Sequence, residues 1–191
     1  MWHRRLLTVL LAFYLVCFGH TLQAQVPASG VAADLNAALA GRWVGVLEYR
    51  DYKEPATSLK RVVLPTWLMI DAAGTTQVWK YTYDDGPGKV VEERDVVVFD
   101  AAAKTYSSAT NGKAATSFAV AGYDELKAGR GVLVLLGATA DNNKPSEMRV
   151  TITVRRNLLE TLEEVRPAGS TDAFAFRHAY RFVRAEALAV K

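Results

Sequence analysis

Ten short segments rich in Val, Ile, Thr, Tyr, Phe and Trp follow one another between residues 42 and 184, and the gaps between them leave no room for crossover helices. Parallel strands need a connection of a dozen or more residues, so these segments are expected to pair antiparallel with their sequence neighbours. They span 42–50, 60–70, 75–83, 89–100, 104–109, 115–121, 131–139, 147–155, 158–166 and 173–184. Turn signals separate them: Asp71-Ala72-Ala73-Gly74, Asp84-Asp85-Gly86-Pro87-Gly88, Asn111-Gly112, Asp141-Asn142-Asn143 and Pro167-Ala168-Gly169-Ser170. Asn111-Gly112 is the sharpest hairpin signal, because a type I′ turn needs positive φ at both central residues. The expected fold is all-β, an antiparallel up-and-down barrel of about eight to ten strands.

The first 24 residues stand apart. Arg4 and Arg5 precede a 13-residue apolar run, Leu6 to Phe18, and Leu22-Gln23-Ala24 ends in a small residue, the pattern of a secretory signal peptide. A membrane helix needs roughly 20 apolar residues, so export to the periplasm or the extracellular space is expected, with no stable membrane span after cleavage. Cys17 is the only cysteine, and it follows Val16 where a lipoprotein signal would carry a small residue. The mature domain is therefore expected to have no disulfide, no thiol nucleophile and no cysteine metal site. Of the 23 basic residues, Arg4 and Arg5 leave with the signal, so 21 basic face 20 acidic groups in the mature chain. No basic block or arm stands out, and nucleic acid is not an expected partner.

Residues 25–33 read as a linker, and Asp34 as the cap of a short helix from Leu35 to Ala40 that Gly41 ends. The first β segment then opens with Gly41-Arg42-Trp43. A short helix, Gly-x-Trp and a meander of strands together resemble the lipocalin and fatty-acid-binding superfamily, the calycins. The resemblance covers residues 34–184 as one domain and implies that Trp43 packs inside the closed end of a barrel. It also implies that an Arg from the last strand lies across the indole. If the first and last strands pair antiparallel, Arg184 is that Arg. Two features depart from lipocalins. The nearest counterpart of their Thr-Asp-Tyr turn is Thr139-Ala140-Asp141-Asn142, and ten strands suit the fatty-acid-binding type better than eight-stranded lipocalins.

Alternation along each strand groups Trp43, Leu47 and Tyr49 on the first, Trp79, Tyr81 and Tyr83 on the third, and Phe174, Phe176, His178, Tyr180 and Phe182 on the last. These faces are expected to point inward, as packed core or as the lining of a ligand site. The lining set is Trp43, Leu47, Tyr49, Trp79, Tyr81, Phe176, His178 and Tyr180, with Gly41, Trp43 and Arg184 structural. Polar tips on apolar walls suit a small lipophilic or amphipathic molecule. His178 is the only histidine after residue 24, and its readings are a buried histidine satisfied by a neighbour, a ligand contact or a haem-iron ligand. No metal-binding spacing accompanies it, so no cofactor is expected.

Glu92-Glu93-Arg94-Asp95 lies within a strand, and Glu160, Glu163 and Glu164 sit near Arg155, Arg156 and Arg166 around a turn at Arg156-Asn157. Both groups read as solvated ion pairs. No serine lies in a nucleophile elbow and no glycine-rich loop opens a helix, so a non-enzymatic role is expected. The expected function is an exported carrier of a small molecule; the other reading is a cell-envelope interaction module whose barrel is filled by side chains. N-terminal sequencing of the exported protein is expected to find a chain beginning at or near Gln25. Recovery of an intact, membrane-embedded Met1 form would overturn the export reading.

Overall fold

The computed structural model describes residues 28–55, 58–124 and 130–185. The expected signal segment, its cleavage site and Cys17 lie outside them. A helix, α1 (Ala28–Leu39), leads into ten strands. The first five are β1 (Gly41–Arg50), β2 (Arg61–Ala73), β3 (Thr76–Asp84), β4 (Val90–Asp100) and β5 (Thr105–Thr110). The others are β6 (Thr116–Asp124), β7 (Arg130–Asp141), β8 (Lys144–Arg155), β9 (Leu158–Pro167) and β10 (Ala175–Arg184). Each strand pairs antiparallel with its neighbours in the chain, and β1 pairs with β10, so the sheet closes into a barrel.

The helix departs from its expected bounds. It starts at Ala28 and takes in residues read as linker, so Asp34 lies inside it rather than at a cap. Alanine has the highest helix propensity, and Ala32, Ala33, Ala37 and Ala38 carry the helix across a stretch whose Ser29 and Gly30 suggested a loop. The Asn111-Gly112 turn forms as expected: φ is 51° and 73°, and Lys113 N–H donates to Thr110 O (3.0 Å), although β5 and β6 pair only as far as Ser108 and Thr116. Asn111 is also held against β4, its N–H donating to Arg94 O (2.8 Å) and its Oδ1 accepting from Arg94 N (2.9 Å). Tight two-residue hairpins join paired Ala73 and Thr76, paired Arg155 and Leu158, and paired Asp141 and Lys144, the last with Asn142 and Asn143 at φ of 50° and 62°.

One end of the barrel is a dry plug. Leu35 and Leu39 of α1 meet Trp43, Ile70, Phe99, Leu133, Val154, Leu159 and Phe182, none more than 2% exposed. Trp43 Nε1 donates to Leu39 O at 2.9 Å, which satisfies one of the carbonyls left open at the helix end. Arg184, paired in register with Trp43, places its guanidinium 4.2 Å from the indole centroid. It also donates to Ala40 O (2.8 Å) and Ala38 O (2.6 Å), so one cation covers the indole and caps the helix. Gly41 has φ of 121°, and a Cβ there would come within 2.9 Å of Arg184 Nη1. The positive φ calls for glycine, and a side chain there would also push the Arg184 guanidinium aside. A second chain of bonds ties helix to barrel: Trp79 Nε1 donates to Gln77 Oε1 (2.8 Å), and Gln77 Nε2 donates to Asn36 Oδ1 (2.7 Å).

Trp43→Ala is expected to cost about 3–5 kcal/mol, the range for truncating a large buried aromatic. Arg184→Ala is expected to cost about 1–3 kcal/mol, from a cation over an indole and two charge-assisted bonds. The double variant should lose less than the sum, because the two side chains touch. Urea denaturation of the three proteins measures this, and strictly additive losses would refute the coupling.

Candidate functional site

Beyond the plug the barrel is hollow. A chamber of about 380 Å³ is walled by Trp79, Tyr81, Tyr106, Phe118 and Tyr180 together with Leu135, Met148, Val150 and Ile152. Glu93, Asp95, Glu163, Arg177 and His178 also face it. A wider vestibule of about 540 Å³, lined by Leu47, Tyr49, Leu64, Tyr83 and Asp141 among others, shares Glu93, Arg177, His178 and Tyr180 with the chamber. The two spaces therefore adjoin along that wall.

Strand register explains which polar groups enter. Trp79 pairs with Asp95 and Tyr81 with Glu93, so the inward face of β3 carries the inward face of β4 with it. Asp95 in turn pairs with Thr110 on β5. On the far wall His178 pairs with Glu163, and Tyr180 with Thr161. The rings form a connected surface: Tyr81 lies 5.1 Å from Tyr180 and 5.8 Å from Tyr83 between centroids, and Trp79 lies 6.3 Å from Tyr81.

The three carboxylates are not equivalent. Tyr83 Oη donates to Glu93 Oε1 at 3.2 Å and lies 2.8 Å from Tyr180 Oη, so Tyr180 is the donor in that pair. Burial, then the nearby charge of Asp95, push the Glu93 carboxyl above the usual range. Burial also raises Asp95, with Thr110 opposing it, and Asp95 Oδ1 is buried without a hydrogen-bond partner. Burial alone would raise Glu163 as well. His178, with Nε2 3.2 Å from Glu163 Oε1, outweighs that and holds Glu163 below its usual value. The same burial pushes the hydroxyls of Tyr81, Tyr83, Tyr106 and Tyr180 up, so all four are neutral donors at physiological pH. At the mouth, Asp141 gathers Arg50 (2.9 Å), Tyr52 Oη (3.1 Å) and Arg177 (3.9 Å).

The residues singled out from sequence fall in different places. Trp79, Tyr81, His178 and Tyr180 line the chamber, Leu47 and Tyr49 the vestibule, and Trp43 lies in the plug below. Phe176 is a correction. The β9–β10 register shifts between Phe176 and His178, and this bulge reverses the phase of alternation. Phe176 turns to the outer face beneath the guanidinium of Arg61 (4.5 Å), and Phe174 lies beneath Arg149 and Arg166. Glu93, Asp95 and Glu163 are corrections in the other direction, read as solvated pairs and found facing inward. The signal was present in the phase of Val97 and Phe99, and of Leu159 and Val165, whose buried positions share parity with them. Surface ion pairs do cross the β8–β9 hairpin, between Glu164 and Arg149 (2.8 Å) and between Arg166 and Glu147 (2.7 Å), whereas Glu160 meets Arg181 of β10 (4.0 Å). Among the described residues no His, Cys, Asp and Glu cluster is arranged to hold a metal ion.

The architecture is thus a ten-stranded antiparallel barrel, plugged at one end and hollow toward the other. The crystal structure of Rv2717c from M. tuberculosis resembles it, with a TM-score of 0.55 and 12% sequence identity over 80% of this chain and 96% of that one. At that identity the likeness concerns the fold. No family model and no curated protein matches the chain.

Asp95 yields a stability prediction. Its folded pKa is raised, so the native state binds its proton more readily than the unfolded chain, and its contribution to stability grows as pH falls through the raised value. Asp95→Asn is expected to stabilise the protein at pH 7.5 by about 1 kcal/mol, the low end for an orphaned polar atom, because the residue is only partly buried. The gain should shrink as pH falls through the raised titration range of Asp95, because the native carboxyl then takes up its proton. Thermal melts across pH test this, and a lowered melting temperature at pH 7.5 would refute it.

Proposed function

We propose that this chain is an exported, non-enzymatic carrier that holds one small lipophilic or amphipathic molecule inside a calycin-like barrel. The observation that supports this reading most is the chamber of about 380 Å³, adjoining an open vestibule and walled by aromatic rings with a few polar tips. Ligand sites of about 300–1,000 Å³ have this composition, and a barrel of eight or more strands is wide enough to hold a small molecule. Gly41, Trp43 and Arg184 support kinship with calycins through the plug they build. The outer face of β2, where Val63 and Trp67 are about half exposed, favours a second reading as a cell-envelope interaction module.

Titration of the mature protein with the uncharged probe N-phenyl-1-naphthylamine separates the two. The carrier reading expects saturable one-to-one binding with a change in tryptophan emission. Ser108→Trp, which projects into the chamber from β5, should abolish that binding, while Trp67→Ala on the outer face should leave it unchanged. If no probe saturates, or if Trp67→Ala abolishes binding and Ser108→Trp does not, the interaction module replaces the carrier.

A further inference from the structure

The chamber differs from the rest of the protein in how its aromatic rings are used. Four aromatic side chains elsewhere meet arginines: Arg184, Arg50, Arg149 with Arg166, and Arg61 place their guanidinium groups 4.2–4.6 Å from the ring centroids of Trp43, Tyr52, Phe174 and Phe176 respectively. Among the described residues, Trp79, Tyr81, Tyr106 and Tyr180 carry no such cation, although two carboxylates stand among them. Glu93 accepts only from Tyr83, and Asp95 leaves Oδ1 without a partner. Among the described residues neither forms an ion pair with a basic side chain, although His178 is near enough to act on Glu93. His178 is turned to Glu163, and Arg177 is drawn to the mouth by Asp141 and Thr139.

An unpaired buried carboxylate is costly, and the cost falls when a cation enters beside it. The faces of Trp and Tyr attract the same kind of group, and more strongly where water is excluded. Anionic oxygen and aromatic faces around one hollow therefore select the same ligand charge. We infer that the molecule held in the barrel has a cationic end, a protonated amine or quaternary ammonium, seated against the Asp95 and Glu93 carboxylates within the aromatic walls. This rests on the carrier reading and narrows it. The chamber volume limits the part that enters to a body about the size of a fused bicyclic ring. A fatty-acid carboxylate is disfavoured by the same two groups.

Three probes with one aromatic body test this on the unaltered protein: 1-naphthylmethylamine, 1-naphthylmethanol and 1-naphthoate, titrated by calorimetry at pH 7.5. The ammonium is expected to bind at least about tenfold more tightly than the alcohol, with the carboxylate weakest. Lowering the pH into the raised titration range of Glu93 and Asp95 should weaken the ammonium and leave the alcohol unmoved. The groups that could shift this response are Tyr81 and Tyr83 on β3, Tyr106 on β5, Glu163 on β9, and Arg177 and His178 on β10; the tyrosines stay neutral throughout. Glu93→Gln combined with Asp95→Asn should bring the ammonium to within about twofold of the alcohol. If the alcohol or the carboxylate binds as tightly as the ammonium, the cation inference falls and the carrier reading stands. If none of the three binds, both fall.

Discussion

The interior of this barrel exists because β1 and β10 meet. Without that seam the ten strands would form an open sheet with two bare edges, and its inward face would have nothing to enclose. The seam is held at its plugged end by Arg184, which reaches from the last strand across Trp43 of the first and on to the carbonyls of the helix. A single guanidinium thus joins the beginning and the end of the described fold. Gly45 lets the two strands approach closely, since a Cβ there would overlap the backbone carbonyl of Arg181.

The two halves of the interior treat polar atoms in opposite ways. Toward the plug, Trp43 Nε1 reaches a helix carbonyl and Trp79 Nε1 reaches the helix through Gln77 and Asn36, so buried donors are paired. Toward the vestibule, Asp95 is left with an unpaired oxygen and Glu93 with one hydroxyl. A buried network that is fully satisfied stiffens a structure, and one that is partly satisfied retains capacity for another group. The plug is the fully paired half of the interior, and the chamber is the half that leaves a buried polar atom unpaired.

Period-two hydrophobicity and turn residues are local properties, and they made the architecture legible: every strand lies within a few residues of its expected bounds, and all ten close in chain order. The pairing of Trp43 with Arg184 followed from the calycin resemblance together with antiparallel pairing of the first and last strands. Less local features were harder to read. The bulge between Phe176 and His178 changes which residues share a face, and no turn residue or glycine marks it in the sequence. Charge misled in the β4 and β9 segments, where Glu93, Asp95 and Glu163 look like surface residues until their parity with Val97, Phe99, Leu159 and Val165 is followed. The start of α1 was obscured by Ser29 and Gly30 within a run that alanine carries into a helix.

The same seam has a kinetic meaning. Ala40 and Arg184 are 144 residues apart, and the contacts that close the barrel join its first strand to its last. Hairpins between sequence neighbours form in microseconds, whereas a contact across nearly the whole chain must wait for the intervening strands to order. Until then β1 and β10 each present an unpaired edge, and the flanking aromatic surface is accessible to other copies of the chain. A newly made molecule is therefore most exposed to aggregation just before its last pair of strands zips, and the arginine that arrives at the end of the fold also brings that interval to a close.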